Sequence, residues 1–343
     1  MASVTVIGGG IFGLACGWEL ARRGADVTVM ERDQIGAGSS GGHVGALAPH
    51  APENWNVKKQ FQLDSLIAAG PFFAAAERTG GVPALFARTG RVQPLAADLD
   101  AGAADRLAQR IDASAARWPG GMAMVLTDHA PPGALMPISP SGRWLIDGLS
   151  ARIAPRAALA SLAAAIVATG GRIVTGREVP DNADLTGPIL WATGAPGLAA
   201  LGHGPGVKGQ SALLAHSLPD GAPQVFADGM HIVPHADGTV AIGSTSEREF
   251  ADAAPDDQAL ALVAQARTIC PDLGDAPLIE TWAGIRPRSR SRAPLIGAYP
   301  GRSGHFIANG GFKIGFGVAP GVARVMADLI LDGRDAIPPA FRS

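Results

Sequence analysis

Residues Gly8-Gly9-Gly10-Ile11-Phe12-Gly13 place glycine at the spacing that a dinucleotide's pyrophosphate requires. An apolar run, Val4 to Ile7, feeds into them. A helix-period segment follows, and a second β-like run, Asp26 to Met30, ends at Glu31. Gly8 permits a tight turn, Gly10 lets the backbone approach a pyrophosphate, and Gly13 lets the helix pack closely on the sheet. The helix N-terminus turns amide N–H groups toward the phosphates. Glu31 lies eighteen residues beyond Gly13, where ribose hydroxyls can donate to its carboxylate. The glycine spacing alone fits FAD or NAD. The first strand begins at Ser3, so the cofactor fold opens the chain. The next loop, Ile35 to His50, is rich in Gly, Ala and Ser, as backbone lying against a ring system needs. Both observations argue for FAD.

At 343 residues the chain can form one large domain or two moderate ones, and 47% apolar residues supply a sizeable core. A net charge of −2 gives no global reason to expect nucleic acid or an anionic membrane. Cys16 and Cys270 offer no disulfide framework and no metal-ligand spacing. Cys16, inside the first helix, reads as a small buried hydrophobe. There is no basic n-region at the start and no apolar run long enough to cross a bilayer, so a cytoplasmic location is the default.

Helical periodicity covers Gln60 to Arg78, Ala101 to Trp118, Ala157 to Thr169 (with Gly170-Gly171 as its stop), Gln258 to Ile269 and Val318 to Leu331. Arg172 to Thr175 and Ile189 to Ala192 read as strands. Met230 to Pro234 and Thr239 to Gly243 read as a hairpin around His235-Ala236-Asp237-Gly238. Met122 to Leu145, with Pro131, Pro132, Pro137 and Pro140, reads as loop and short strands. Helix–strand units occupy the ends and a hairpin-like pattern the middle. The fold class is therefore α/β (α+β overall): a Rossmann-like FAD-binding domain interrupted by a β-rich antiparallel substrate domain. The expected boundaries are 1–85, 146–205 and 283–343 for the first, and 86–145 and 206–282 for the second.

Seven segments, in order, resemble the FAD-dependent D-amino-acid oxidase superfamily, and most of all its glycine oxidase branch. They are VIGGGIFGLACGWELARRGADVTVMER, GSSGGHVGALAPH, ILWATGAPG, GVKGQ, HIVPHADGTVAIGST, TWAGIRPRSRSRAPLIG and NGGFKIGFGVAPGVARVMADLI. Residues 51–145 match only in general character. The resemblance implies that Gly8, Gly10, Ile11, Phe12, Gly13, Glu31 and Arg32 hold the ADP half of FAD, with Val179 against the adenine. Ser39, Ser40, Gly45, Ala46 and Leu47 would lie along the pyrophosphate and flavin. Thr193 and Gly194 would close a strand end beneath the cofactor. Gly310, Gly311, Phe312, Lys313, Ile314 and Gly315 would wrap the flavin's pyrimidine edge. Arg286 matches the arginine that binds the substrate carboxylate beside the flavin. A planar fork gives such an acid both grip and orientation.

Two matched positions depart from the branch. His231 stands where glycine oxidases carry tyrosine, and Lys313 where the family usually has arginine. With Arg286 they are the expected catalytic residues. His43 occupies the loop in which some relatives attach FAD covalently, but the spacing to Gly45 is one residue shorter, so non-covalent FAD is expected. Arg288, Arg290 and Arg292 read either as a solvated loop or as a funnel for an anionic substrate. The expected chemistry is oxidation of an amino acid or secondary amine, hydride passing from Cα to the flavin and the imine product then hydrolysing. The expected partners are a small amine or amino acid and O2 or another electron acceptor, with no nucleic acid, no transmembrane segment, no metal and a possible homo-oligomer. Three alternatives stay open: a 2-hydroxy acid dehydrogenase with His231 as base, a tRNA-modification-type amine oxidase, and a flavin-binding subunit of a larger dehydrogenase.

Overall fold

The computed structural model describes residues 2–131, 133–180, 183 and 185–342. Pro132, within the proline-punctuated stretch, lies outside them. The first sheet has six strands, in the spatial order Leu295–Ala298, His305–Asn309, Ile189–Trp191, Ser3–Ile7, Asp26–Met30 and Arg172–Val174. All neighbours are parallel except the first pair. A parallel sheet is covered on both faces, and Val4, Val6, Val27 and Val29 are accordingly buried. The helix Ile11–Arg22 is buried from Ile11 through Ala21. It packs on the helices Pro155–Ala168 and Gly315–Asp332. Small residues permit the close fit: a Cβ at Gly17 would sit 3.2 Å from Ile166 Cδ1.

The second sheet has eight strands, in the order Leu278–Arg286, Val207–Ala215, Thr239–Gly243, Met230–Pro234, Gln224–Ala227, Arg91–Pro94, Trp144–Asp147 and Met124–Thr127. It is antiparallel except where Gln224–Ala227 meets Arg91–Pro94. Apolar residues of the helix Asp257–Ile269 form a separate core with Ala212, Leu214, Val240 and Ile242. The expected crossing points at 146 and 283 fall inside the strands Trp144–Asp147 and Leu278–Arg286.

The hairpin strands run over the expected residues. The expected helix from Gln60 begins instead at Val57, because the Asn56 side chain accepts from the Lys58 and Lys59 amides. It ends at Gly81, which takes the left-handed conformation. The two longest strands, Val207–Ala215 and Leu278–Arg286, carry Lys208, Gln210, Ser211, Glu280 and Thr281. These polar residues conceal the strand pattern in the sequence. Among the described residues no helix is long and apolar enough to cross a membrane.

Candidate functional site

One cleft of about 1210 Å³ is lined by residues of both sheets. Its floor begins at the glycine turn. Gly8 has φ +117°, and a Cβ there would lie 2.4 Å from Ala192 O. A Cβ on Gly13 would lie 1.9 Å from Gly8 O. Only glycine fits either place. Gly13 therefore sits behind the cleft wall, where it lets the helix meet the strand. Gly8, Gly10, Ile11 and Phe12 face the cleft.

Glu31 ties this turn to the second strand. Its Oε2 accepts from the Gly9 amide at 2.6 Å and its Oε1 from the Asp33 amide at 2.9 Å. Each oxygen keeps a further lone pair for another donor. Arg32 lines the cleft with its guanidinium paired to Asp33 at 3.1 Å. Val179 lines the same end. Trp191 stands there too, its indole N–H donating to His305 Nδ1 at 3.0 Å.

Ser39, Ser40, Gly45 and Ala46 line the next stretch. The Ser40 hydroxyl accepts from the Ile11 amide at 3.0 Å, holding this loop over the helix start. Gly45 is needed because a Cβ would lie 1.7 Å from Ile153 O. Leu47 points the other way, as the next residue of an extended segment must. It is buried and lines an adjoining hollow. His43 lines the cleft with Nδ1 3.1 Å from Ser211 Oγ and Nε2 3.3 Å from Glu280 Oε2, the latter off the hydrogen-bond direction. Both ring nitrogens therefore lie against protein groups.

Thr193 and Gly194 lie at the mouth of the Ile189–Trp191 strand and line the cleft. Asn309 donates to Gly194 O at 2.9 Å and accepts from the Gly310 amide at 2.8 Å. Gly310, at φ +76°, turns the chain and does not line the cleft. Gly311, Phe312, Lys313, Ile314 and Gly315 do. The helices starting at Ile11 and Gly315 have no acidic residue in their first turns. Their positive ends are thus left for an anionic ligand.

At the other end stands Arg286, the last residue of its strand. Its Nη1 donates to Thr245 O at 3.0 Å. Its guanidinium lies against Gly209, where a Cβ would come within 1.8 Å of Nη2. It has no carboxylate partner within 4.0 Å among the described residues. Burial lowers it to about 10, so it remains charged at neutral pH.

His231 lies half-buried on the same sheet as Arg286, three strands away, and also lines the cleft. Gln224 spends its amide N–H on Ala151 O at 2.9 Å, so its Oε1 is what meets His231 Nδ1 at 3.1 Å. Nδ1 must therefore carry the proton, which leaves a lone pair on Nε2. Burial, then the charges of Arg91 and Lys313, push His231 down to about 3. Lys313 is exposed within the cleft, and desolvation and Arg286 lower its pKa. Arg288, Arg290 and Arg292 do not line the cleft. Arg290 donates to Gly202 O at 2.7 Å, and Arg288 lies 6.0 Å over the Phe312 ring.

Gly209 and Gln224 escaped the sequence reading. A glycine inside a strand was the available signal for the first. Gln224 gave none, because its role exists only once two strands are paired.

A long cleft with a glycine cradle, two open helix starts and an unneutralised guanidinium on its wall is the layout of a flavin-linked oxidoreductase. The chain belongs to the FAD dependent oxidoreductase family, whose model matches residues 3–329. The protein is thus an FAD-dependent enzyme, and its relatives place it in the glycine oxidase-like branch. It is 28% identical over 357 residues to glycine oxidase of Geobacillus kaustophilus, covering 95% of this chain and 92% of that one. A shorter match to glycine oxidase of Pseudomonas aeruginosa is 38% identical over 136 residues, or 39% of this chain and 37% of that enzyme. The crystal structure of the Geobacillus kaustophilus enzyme superposes with a TM-score of 0.83 at 22% identity, over 100% of this chain and 98% of that one.

Proposed function

We propose that this enzyme oxidises an amine at the carbon that also bears a carboxylate, giving an imine that water hydrolyses to an oxo acid. The observation that carries the reading is Arg286: a desolvated cation on the cleft wall with no acidic partner among the described residues. A buried charge without a partner is costly, and a substrate carboxylate supplies one. Gly8, Gly10, Ile11, Phe12, Glu31, Ser39, Ser40, Gly45 and the segment Gly311 to Gly315 would hold FAD, without a covalent link. Bound FAD supplies the two-electron acceptor for the hydride that leaves the α-carbon.

The remaining work falls to side chains. Arg286 fixes the acid and so the direction of the α-carbon. His231, neutral with an open Nε2, accepts an N–H from the amine and orients its lone pair. Arg286 and Lys313 raise the local positive potential, which disfavours the ammonium form and favours the reactive free amine. Leu47 and Gly310 support this surface from behind. A hydroxy acid could use Arg286 in the same way but needs a base for its hydroxyl proton. At about 3, His231 is a poor one. O2 or another electron acceptor serves as the second substrate, in a cytoplasmic setting.

Anaerobic mixing of the FAD-loaded protein with D- and L-amino acids, N-methylated amino acids, cyclic imino acids and 2-hydroxy acids tests it. Bleaching of the flavin by amines is expected. Bleaching by hydroxy acids alone, or by none of the panel, overturns the reading.

A further inference from the structure

A hollow of about 190 Å³ opens beside the cleft and shares Ala46, Phe226, His231, Lys313 and Ile314 with it. Its lining holds two cations, Arg91 and Lys313, and no acidic residue among the described residues. Arg91 is 7% exposed. Its Nε donates to Asp147 Oδ2 at 3.0 Å across the strand pair, and its guanidinium lies 5.8 Å from the Phe226 ring centroid. Asp147 is fully buried and also accepts from the Ser150 amide at 2.8 Å. The aspartate thus holds Arg91 by one edge only. Nη1 and Nη2 donate to no acceptor among the described residues, neither is completely buried, and Arg91 lines the hollow.

Those two nitrogens form the edge that binds a carboxylate bidentately. Lys313 adds a second positive charge. Asp147 has already neutralised the cost of burying Arg91, so an arriving anion gains the fork without leaving another charge unpaired. At roughly 30 Å³ per water, the hollow holds about six waters' worth of volume. That is room for a carboxylate on a short chain.

We propose that this hollow is the subsite for a second carboxylate, gripped by Arg91 and Lys313. The substrate class is then an aminodicarboxylate: an acidic amino acid, or a glycine whose nitrogen carries a carboxyalkyl arm. The inference rests on the amine-oxidising reading of the main cleft.

The test compares matched pairs on the FAD-loaded full chain: aspartate with asparagine, glutamate with glutamine in both enantiomers, and N-carboxymethylglycine with N-ethylglycine. In each pair that reacts, the acid should have a kcat/KM at least about tenfold higher. The ratio should fall toward one in the double variant Arg91→Met with Asp147→Leu, which leaves neither charge buried alone. Arg91→Lys should keep part of it. Succinate should perturb the flavin spectrum at lower concentration than butyrate, a readout independent of turnover and obtainable on the wild type if the variants do not fold. Equal turnover of acid and neutral partners, or a ratio unmoved in a folded variant, overturns the subsite while sparing the amine reading. Tight succinate binding with no amine turned over sinks the amine reading and supports the subsite. Equal binding of succinate and butyrate overturns the proposal.

Discussion

Replacing Gly209 by alanine should disable substrate binding without disturbing the fold. The Arg286 guanidinium lies flat on this glycine. A Cβ at 209 would stand 1.8 Å from Nη2, 1.9 Å from Cζ and 2.0 Å from Nη1. Non-bonded carbon contacts settle at about 3.5 Å, so the guanidinium must retreat by roughly 1.5 Å. The atoms that move are the free end of a long side chain, so the backbone need not give. Gly209 sits in the middle of a strand, opposite Gly284. Alanine there gains about 0.5–1 kcal/mol in strand preference. Loss of the Arg286 bond to Thr245 O costs about 1 kcal/mol. These terms offset, so the melting temperature should stay within a few degrees.

Activity should behave differently. A displacement of about 1 Å in a positioning group costs on the order of 10²-fold in rate. The kcat/KM for a carboxylate-bearing amine should therefore fall about 100-fold, while FAD content and visible spectrum stay normal. Arg286→Lys serves as the comparison, since it removes the fork and leaves Gly209 alone. Steady-state kinetics, FAD stoichiometry and thermal unfolding on the same preparations decide the matter. A Gly209→Ala enzyme with kcat/KM within threefold of wild type would refute the seat assigned to Arg286. A variant that loses FAD or unfolds would refute the claim that only the guanidinium moves.

Two further outcomes follow from the cleft's electrostatics and its glycine turn. Carboxylate binding needs Arg286 and Lys313 protonated, and both are lowered from their ordinary values, Arg286 to about 10. The KM for an acid should therefore rise as pH climbs toward 10, starting below the range of an ordinary lysine. His231, at about 3, should add no limb near 6.5 to kcat. A pH profile of both parameters checks this, and a flat alkaline KM contradicts it. Glu31→Ala removes the acceptor of the Gly9 and Asp33 amides and, with it, the carboxylate lone pairs left for ribose hydroxyls; at roughly 1.5–3 kcal/mol for a hydrogen bond to a charged group, FAD affinity should fall by about tenfold or more. Reconstitution of the apoprotein with FAD measures it, and unchanged affinity would show that the acid only braces the turn.

What the sequence revealed was local. The glycine turn, Glu31 and the Asp237-Gly238 hairpin are written within a few neighbouring residues or one helix–strand unit, because steric limits on φ and the helical period act at that range. Cross-strand geometry is different. Ala46 faces the cleft and Leu47 faces away, which follows from alternation only once that segment is known to be extended. Arg286 could be singled out by its surroundings in the chain, yet its seat, Gly209, is brought to it by strand register. Arg91 carried no signal, because arginine on a strand is ordinarily a solvated residue. Its meaning comes from Asp147, 56 positions away, which occupies one nitrogen and leaves two. A half-engaged guanidinium is a property of a pair. The pair exists only because Arg91–Pro94 and Trp144–Asp147 run antiparallel in one register. A one-residue slip would turn Asp147 to the other face and leave the guanidinium buried alone. The register that pairs Arg91 with Asp147 therefore also fixes which edge of Arg91 stays free for a ligand.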